Sequence, residues 1–62
     1  MNLLKYINEF MGISFKKTQD NYYYCEGNKK LIELLYDENF DFEYVSCTIY
    51  IKCFDLDYYS TD

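Results

Sequence analysis

The tightest constraint on how this chain can fold is a switch in the parity of its apolar positions. Phe40-Asp41-Phe42-Glu43-Tyr44 alternates strictly, with aromatics on even numbers and acids on odd ones. Cys47, Ile49, Ile51 and Cys53 then carry the apolar set on odd numbers. Successive side chains of a strand point to opposite faces, so one continuous strand cannot send both sets to one core. Either a bulge or a tight turn lies near Val45-Ser46, or the sheet has two apolar faces.

Other periods complete the outline. Leu3, Leu4, Ile7, Phe10 and Met11 recur at helical spacing, Asn2 suits an N-cap, and Gly12 sits where a helix end takes a left-handed residue. Ile13-Ser14-Phe15-Lys16 alternates like a half-buried strand, Lys17 to Asn21 is a polar loop, and Tyr22 to Cys25 is a strand by propensity. Glu26-Gly27-Asn28-Lys29 reads as a hairpin turn. Residues 30–36 fit a helical stripe of Leu31, Leu34 and Leu35. That helix would have Lys29 and Lys30 at its N-terminus and Asp37 and Glu38 at its C-terminus, opposing its dipole at both ends, so a strand is expected there. Asp37-Glu38-Asn39 is the following turn. The expected fold class is α+β: an N-terminal amphipathic helix on a small antiparallel sheet of four or five strands, in one compact domain over 1–62. One helix can cover only one face of such a sheet, and Tyr23, Tyr50 and Phe54 are assigned to the uncovered one.

A chain of 62 residues buries only about 60% of its unfolded surface and usually needs a disulfide, a metal or a partner chain. Cysteines are three, at 25, 47 and 53. If Cys47 and Cys53 share a strand they lie about 20 Å apart, against the roughly 7 Å a bridge can span. Only Cys25 could pair with either, so reduced, buried thiols in a reducing compartment are expected. Histidine is absent and no Cys-x-x-Cys occurs, which argues against a metal site. A partner is left, either a second copy or a target. Neither a signal peptide nor a membrane span is evident, and a cytoplasmic location is expected.

Charge is polarised along the chain. Residues 1–32 hold five lysines and three acids, net +2, whereas residues 33–62 hold one lysine and eight acids, net −7. Such a C-terminal half repels nucleic acid and anionic membranes, so no direct nucleic-acid binding is expected. The absence of Ala, Arg, Pro, His and Trp beside abundant Asn, Lys, Ile and Tyr matches AT-rich codon usage, as in an AT-rich bacterium or one of its phages.

Catalytic chemistry finds little to work with. Nucleophilic catalysis usually needs an imidazole base. The pairs Asp37/Glu38, Asp41/Glu43 and Asp55/Asp57 would need a walled cleft to act on a substrate. Two glycines allow no phosphate-cradling loop. A non-enzymatic chain without cofactors or metals is expected. The acid–aromatic pattern recurs in Phe54-Asp55-Leu56-Asp57-Tyr58-Tyr59. Carboxylates about 6.6 Å apart could take the place of phosphates in a basic groove, with tyrosines as contact anchors. Alternating acids and aromatics also describe any strand with one wet face.

The expected function is therefore a protein-binding inhibitor of a larger, basic, nucleic-acid-handling host protein. In general character it suits a phage or mobile-element product of anti-defence (anti-CRISPR-like) type, and no motif ties it to a family. The candidate contact residues are Asp37, Glu38, Asp41, Glu43, Asp55, Asp57, Tyr58 and Tyr59. The alternative is a small homo-oligomeric structural or regulatory subunit that buries its open sheet face on a copy. In that case Lys16, Lys17, Lys29 and Lys30 could meet the acidic half of the second chain.

Overall fold

A computed structural model describes residues 2–60. Within them run α1 (Leu3–Met11), β1 (Lys16–Lys17), β2 (Tyr22–Glu26), α2 (Lys29–Asp37), β3 (Glu43–Val45), β4 (Thr48–Lys52) and α3 (Cys53–Tyr58). The four strands form one antiparallel sheet in the order β1-β2-β4-β3. The fold class is α+β, as the periodicities indicate.

The parity switch is resolved by a two-residue turn. Ser46 and Cys47 both hold left-handed backbone, at φ 52° and 60°, the requirement of the tight hairpin turn that matches strand twist. Val45 then pairs with Thr48 and Tyr44 with Ile49. Even positions of β3 therefore share a face with odd positions of β4. Phe42, Tyr44, Ile49 and Ile51 fall on one side, and Asp41 and Glu43 fall on the other with Tyr50 and Lys52.

All three helices cover the first of these faces. Leu3 and Ile7 of α1, Leu31 and Leu35 of α2, and Leu56 of α3 close with Phe40 over Ile49 and Ile51 in one buried cluster. Asn2 caps α1 by accepting from the Lys5 amide at 2.9 Å. Gly12 ends the helix at φ 67°, its amide donating to the Ile7 carbonyl. Both assignments follow the sequence.

Several expectations need correction. Residues 30–36 are helix, not strand. Asn28 caps α2 by accepting from the Leu31 amide at 3.1 Å, so Glu26–Lys29 leads into this helix rather than closing a hairpin. Opposing the dipole costs about 0.3–1 kcal/mol per exposed charge, while fully burying Leu31 and Leu35 contributes about 1.5–3 kcal/mol each. The apolar stripe wins. Residues 54–59 belong to α3 and the turn after it, because Cys53 and Leu56, three apart, are both buried. The acid–aromatic alternation there is incidental to a helix. Strand β1 is confined to Lys16–Lys17, shorter than the alternation from Ile13 suggests, and β3 begins only at Glu43. Tyr23 lies on the helix-covered face, and Phe54 projects from α3 with 79% of its surface exposed; of the three residues assigned to the open face, only Tyr50 belongs there. Cys47 is exposed in its turn, whereas Cys53 is buried and Cys25 half-buried, and all three thiols are free. No helix among the described residues is long and apolar enough to cross a membrane.

Candidate functional site

The eight candidate residues separate into groups with different local roles. Asp57 accepts a hydrogen bond from the Tyr23 hydroxyl at 2.6 Å, tying α3 to β2. That bond, with burial and the negative charge of Asp57 adding to it, pushes the Tyr23 hydroxyl pKa up to about 12. Asp55 lies in the first turn of α3 and is half-buried, where a carboxylate offsets the positive end of a helix. Both residues have structural work within the fold.

Asp37, Glu38, Asp41 and Glu43 are different. All four are exposed, and none makes a side-chain hydrogen bond or ion pair among the described residues. Asp37 is the last residue of α2 and Glu38 its C-cap, so two carboxylates extend the negative pole of the helix. Lys29 and Lys30 at the other end extend the positive pole. Side-chain charge and helix dipole thus run in the same direction and reinforce one another.

The turn after α2 brings aromatics to this negative corner. Phe40 is buried and its ring meets Tyr59 edge-on at 4.9 Å, which sets the end of α3 against residues 37–41. Tyr58 packs edge-on against Tyr59 at 5.1 Å. Tyr58 and Tyr59 expose 69% and 55% of their surface, and the Phe40–Tyr59 contact sets Tyr59 against the turn that follows Glu38. Tyr36, 70% exposed, packs on Phe42 at 5.3 Å. Asp41 and Glu43 lie further along, lining a shallow groove of about 310 Å³ with Tyr22, Tyr50 and Lys52.

A larger groove of about 510 Å³ lies between residues 11–16 and the β2–α2 junction. Cys25 lines it, but burial, aided by the charge of Glu26, raises that thiol pKa and favours its protonated form. Burial likewise raises the Cys53 thiol. No cluster of three His, Cys, Asp or Glu side chains able to hold a metal ion occurs among the described residues.

No family model matches the chain, and neither a curated protein nor a solved structure matches it. The corner itself carries the functional reading. The aromatic side of it, Phe40 against Tyr59, could not be read from sequence spacing, because it depends on α3 being a helix.

Proposed function

We propose that the chain is a non-catalytic binding protein whose negative corner docks on a basic surface of a larger protein. Asp37, Glu38 and Asp41 supply the charge, and Tyr58 and Tyr59 supply the contact area. The observation that carries this reading is the position of Asp37 and Glu38. They sit at the end of α2 where carboxylates destabilise the helix, with no bond within the described fold to offset the cost. Residues that break a local rule without structural return are expected at functional positions.

A basic surface of this kind is most common on proteins that handle nucleic acid, where lysines and arginines are arrayed for phosphates. Arginine forks bind carboxylates and phosphates in the same bidentate manner, so the corner would compete with nucleic acid for the groove. That is the mode of action of an inhibitor, and a phage or mobile-element origin would suit it. Exposed tyrosines add contact at low entropic cost.

The test uses proteins from an AT-rich bacterial lysate first retained on a DNA column, then passed over the immobilised chain. A specific protein should bind, be displaced by competing DNA, and fail to bind the Asp37→Lys/Glu38→Lys variant. That variant should also melt slightly higher than the parent, because its lysines suit the helix end. No captured protein, or equal capture by the variant, would overturn the proposal.

A further inference from the structure

The face of the sheet opposite the helices has no covering element among the described residues. Its side chains are set by the strand register. Lys16 pairs with Tyr24, Tyr24 with Tyr50, and Tyr50 with Glu43. Directly opposed residues share a face, so one rung crosses all four strands: a cation at the β1 edge, two tyrosines in the middle, an anion at the β3 edge. The tyrosine rings are stacked, with centroids 6.0 Å apart and planes at 28°. The neighbouring rung sets Tyr22 opposite Lys52. All three tyrosines remain half-exposed.

From this pattern we infer that the open face is a contact with a second copy of the chain, the two sheets packing face to face about a two-fold axis parallel to the strands. The charges select both the occupant and the axis. Rotation about that axis keeps each rung at its height and reverses its order. Strand β1 then lies over β3 of the partner and β2 over β4, so Lys16 meets the partner's Glu43 and Tyr24 meets the partner's Tyr50. Tyr22 meets the partner's Lys52, an ammonium over a ring face. Every contact occurs twice, as an isologous interface requires. The alternative axis, across the strands, would place Lys16 on Lys16 and Glu43 on Glu43, and like charges in opposition disfavour it. The face carries acids and lysines together, which suits self-association better than a uniformly charged partner.

The area sets the expected strength. The two central strands span roughly 17 Å each and the edge strands β1 and β3 are only two and three residues long, so the face offers well under the usual 800 Å² or so per partner of a stable interface. The dimer should therefore form in the upper micromolar range. This inference does not rest on the binding corner, whose leading carboxylates Asp37 and Glu38 lie at the end of α2; Asp41 borders both surfaces.

Sedimentation from about 10 µM to about 1 mM, the range expected of a small interface, reads it directly. The parent should pass from monomer to dimer. Lys16→Glu and Glu43→Lys should each shift that transition at least tenfold upward, and the double variant should restore it. Both positions are exposed, and melting curves would report any loss of folding. A second reading needs no substitution: zero-length carbodiimide crosslinking of a mixture of isotopically light and heavy protein should join Lys16 of one copy to Glu43 of another. A parent that stays monomeric, a double variant no better than the singles, or the absence of mixed-isotope crosslinks between these residues would overturn the inference. Charge swapping restores self-association but cannot restore docking on a basic host surface, so failure here and failure of the binding proposal are distinguishable.

Discussion

At the scale of single residues, the fold is pinned by a few close approaches that composition does not announce. Gly27 is one. A Cβ there would meet the Tyr44 hydroxyl at 2.7 Å and the Cys47 carbonyl at 3.1 Å, and the Gly27 amide donates to that same carbonyl at 2.7 Å. The start of α2 is thereby held against the β3–β4 turn. Cys47 stands in that turn with its side chain exposed, unlike the other two thiols. In native protein a thiol reagent should modify Cys47 rapidly and Cys25 and Cys53 only slowly, since burial holds both of the latter in the protonated form. Mass spectrometry after brief labelling would check it, and fast modification of all three would contradict the packing. The Tyr23–Asp57 bond gives a second prediction. The Tyr23 pKa lies at about 12 when folded against 10.0 for the ordinary side chain, so the folded state keeps a proton that the unfolded state loses. Its stabilisation is complete below pH 10 and disappears as the pH rises towards 12. Melting temperature should fall across that window, and fall less steeply in Tyr23→Phe.

At the scale of elements, what could be read from sequence depended on whether one signal or two competed. The parity switch located a break near Val45-Ser46 but left a bulge, a tight turn and a two-faced sheet open, whereas the capping chemistry of Asn2 and Gly12 framed α1 without rivals. In α2 two signals conflicted: charges against the dipole, and a leucine stripe behind a good N-cap. Burial of Leu31 and Leu35, about 3–6 kcal/mol together, outweighs the roughly 1–4 kcal/mol of four opposed charges, so the stripe decided the outcome. In α3 the alternating acids imitated a strand, and only the spacing of Cys53 and Leu56 could have shown otherwise. The candidate site suffered accordingly. Its acidic half, Asp37 to Glu43, was legible as a run, whereas the separate structural roles of Asp55 and Asp57 were not. The weight placed on α2 is testable. Leu35 is fully buried, and Leu35→Ala should cost about 2–5 kcal/mol, a large share of the roughly 3–9 kcal/mol expected for a chain of this length. Asn28→Ala should cost about 1 kcal/mol through loss of the cap. Urea unfolding measures both, and a near-neutral Leu35→Ala would remove α2 from the core.

At the scale of the whole molecule, the arrangement is an electrical dipole built on a small α+β frame. Lys29 and Lys30 stand at the positive pole of α2 and Asp37 and Glu38 at its negative pole, while Lys16 and Glu43 mark opposite edges of the sheet. Such a chain would be steered onto a positively charged surface with its acidic corner leading, and its association rate would depend on ionic strength more than its packing does. Asp37 and Glu38 stand at the end of α2 and not on the open face of the sheet, so a dimer could present two acidic helix ends at once. The role of the acidic corner is read from the slope of log affinity against log salt for the captured partner, taken with the parent and with Asp37→Lys/Glu38→Lys. A steep slope for the parent that flattens markedly in the variant is the predicted result. A slope near zero in the parent, or one that the two substitutions leave unchanged, would contradict it.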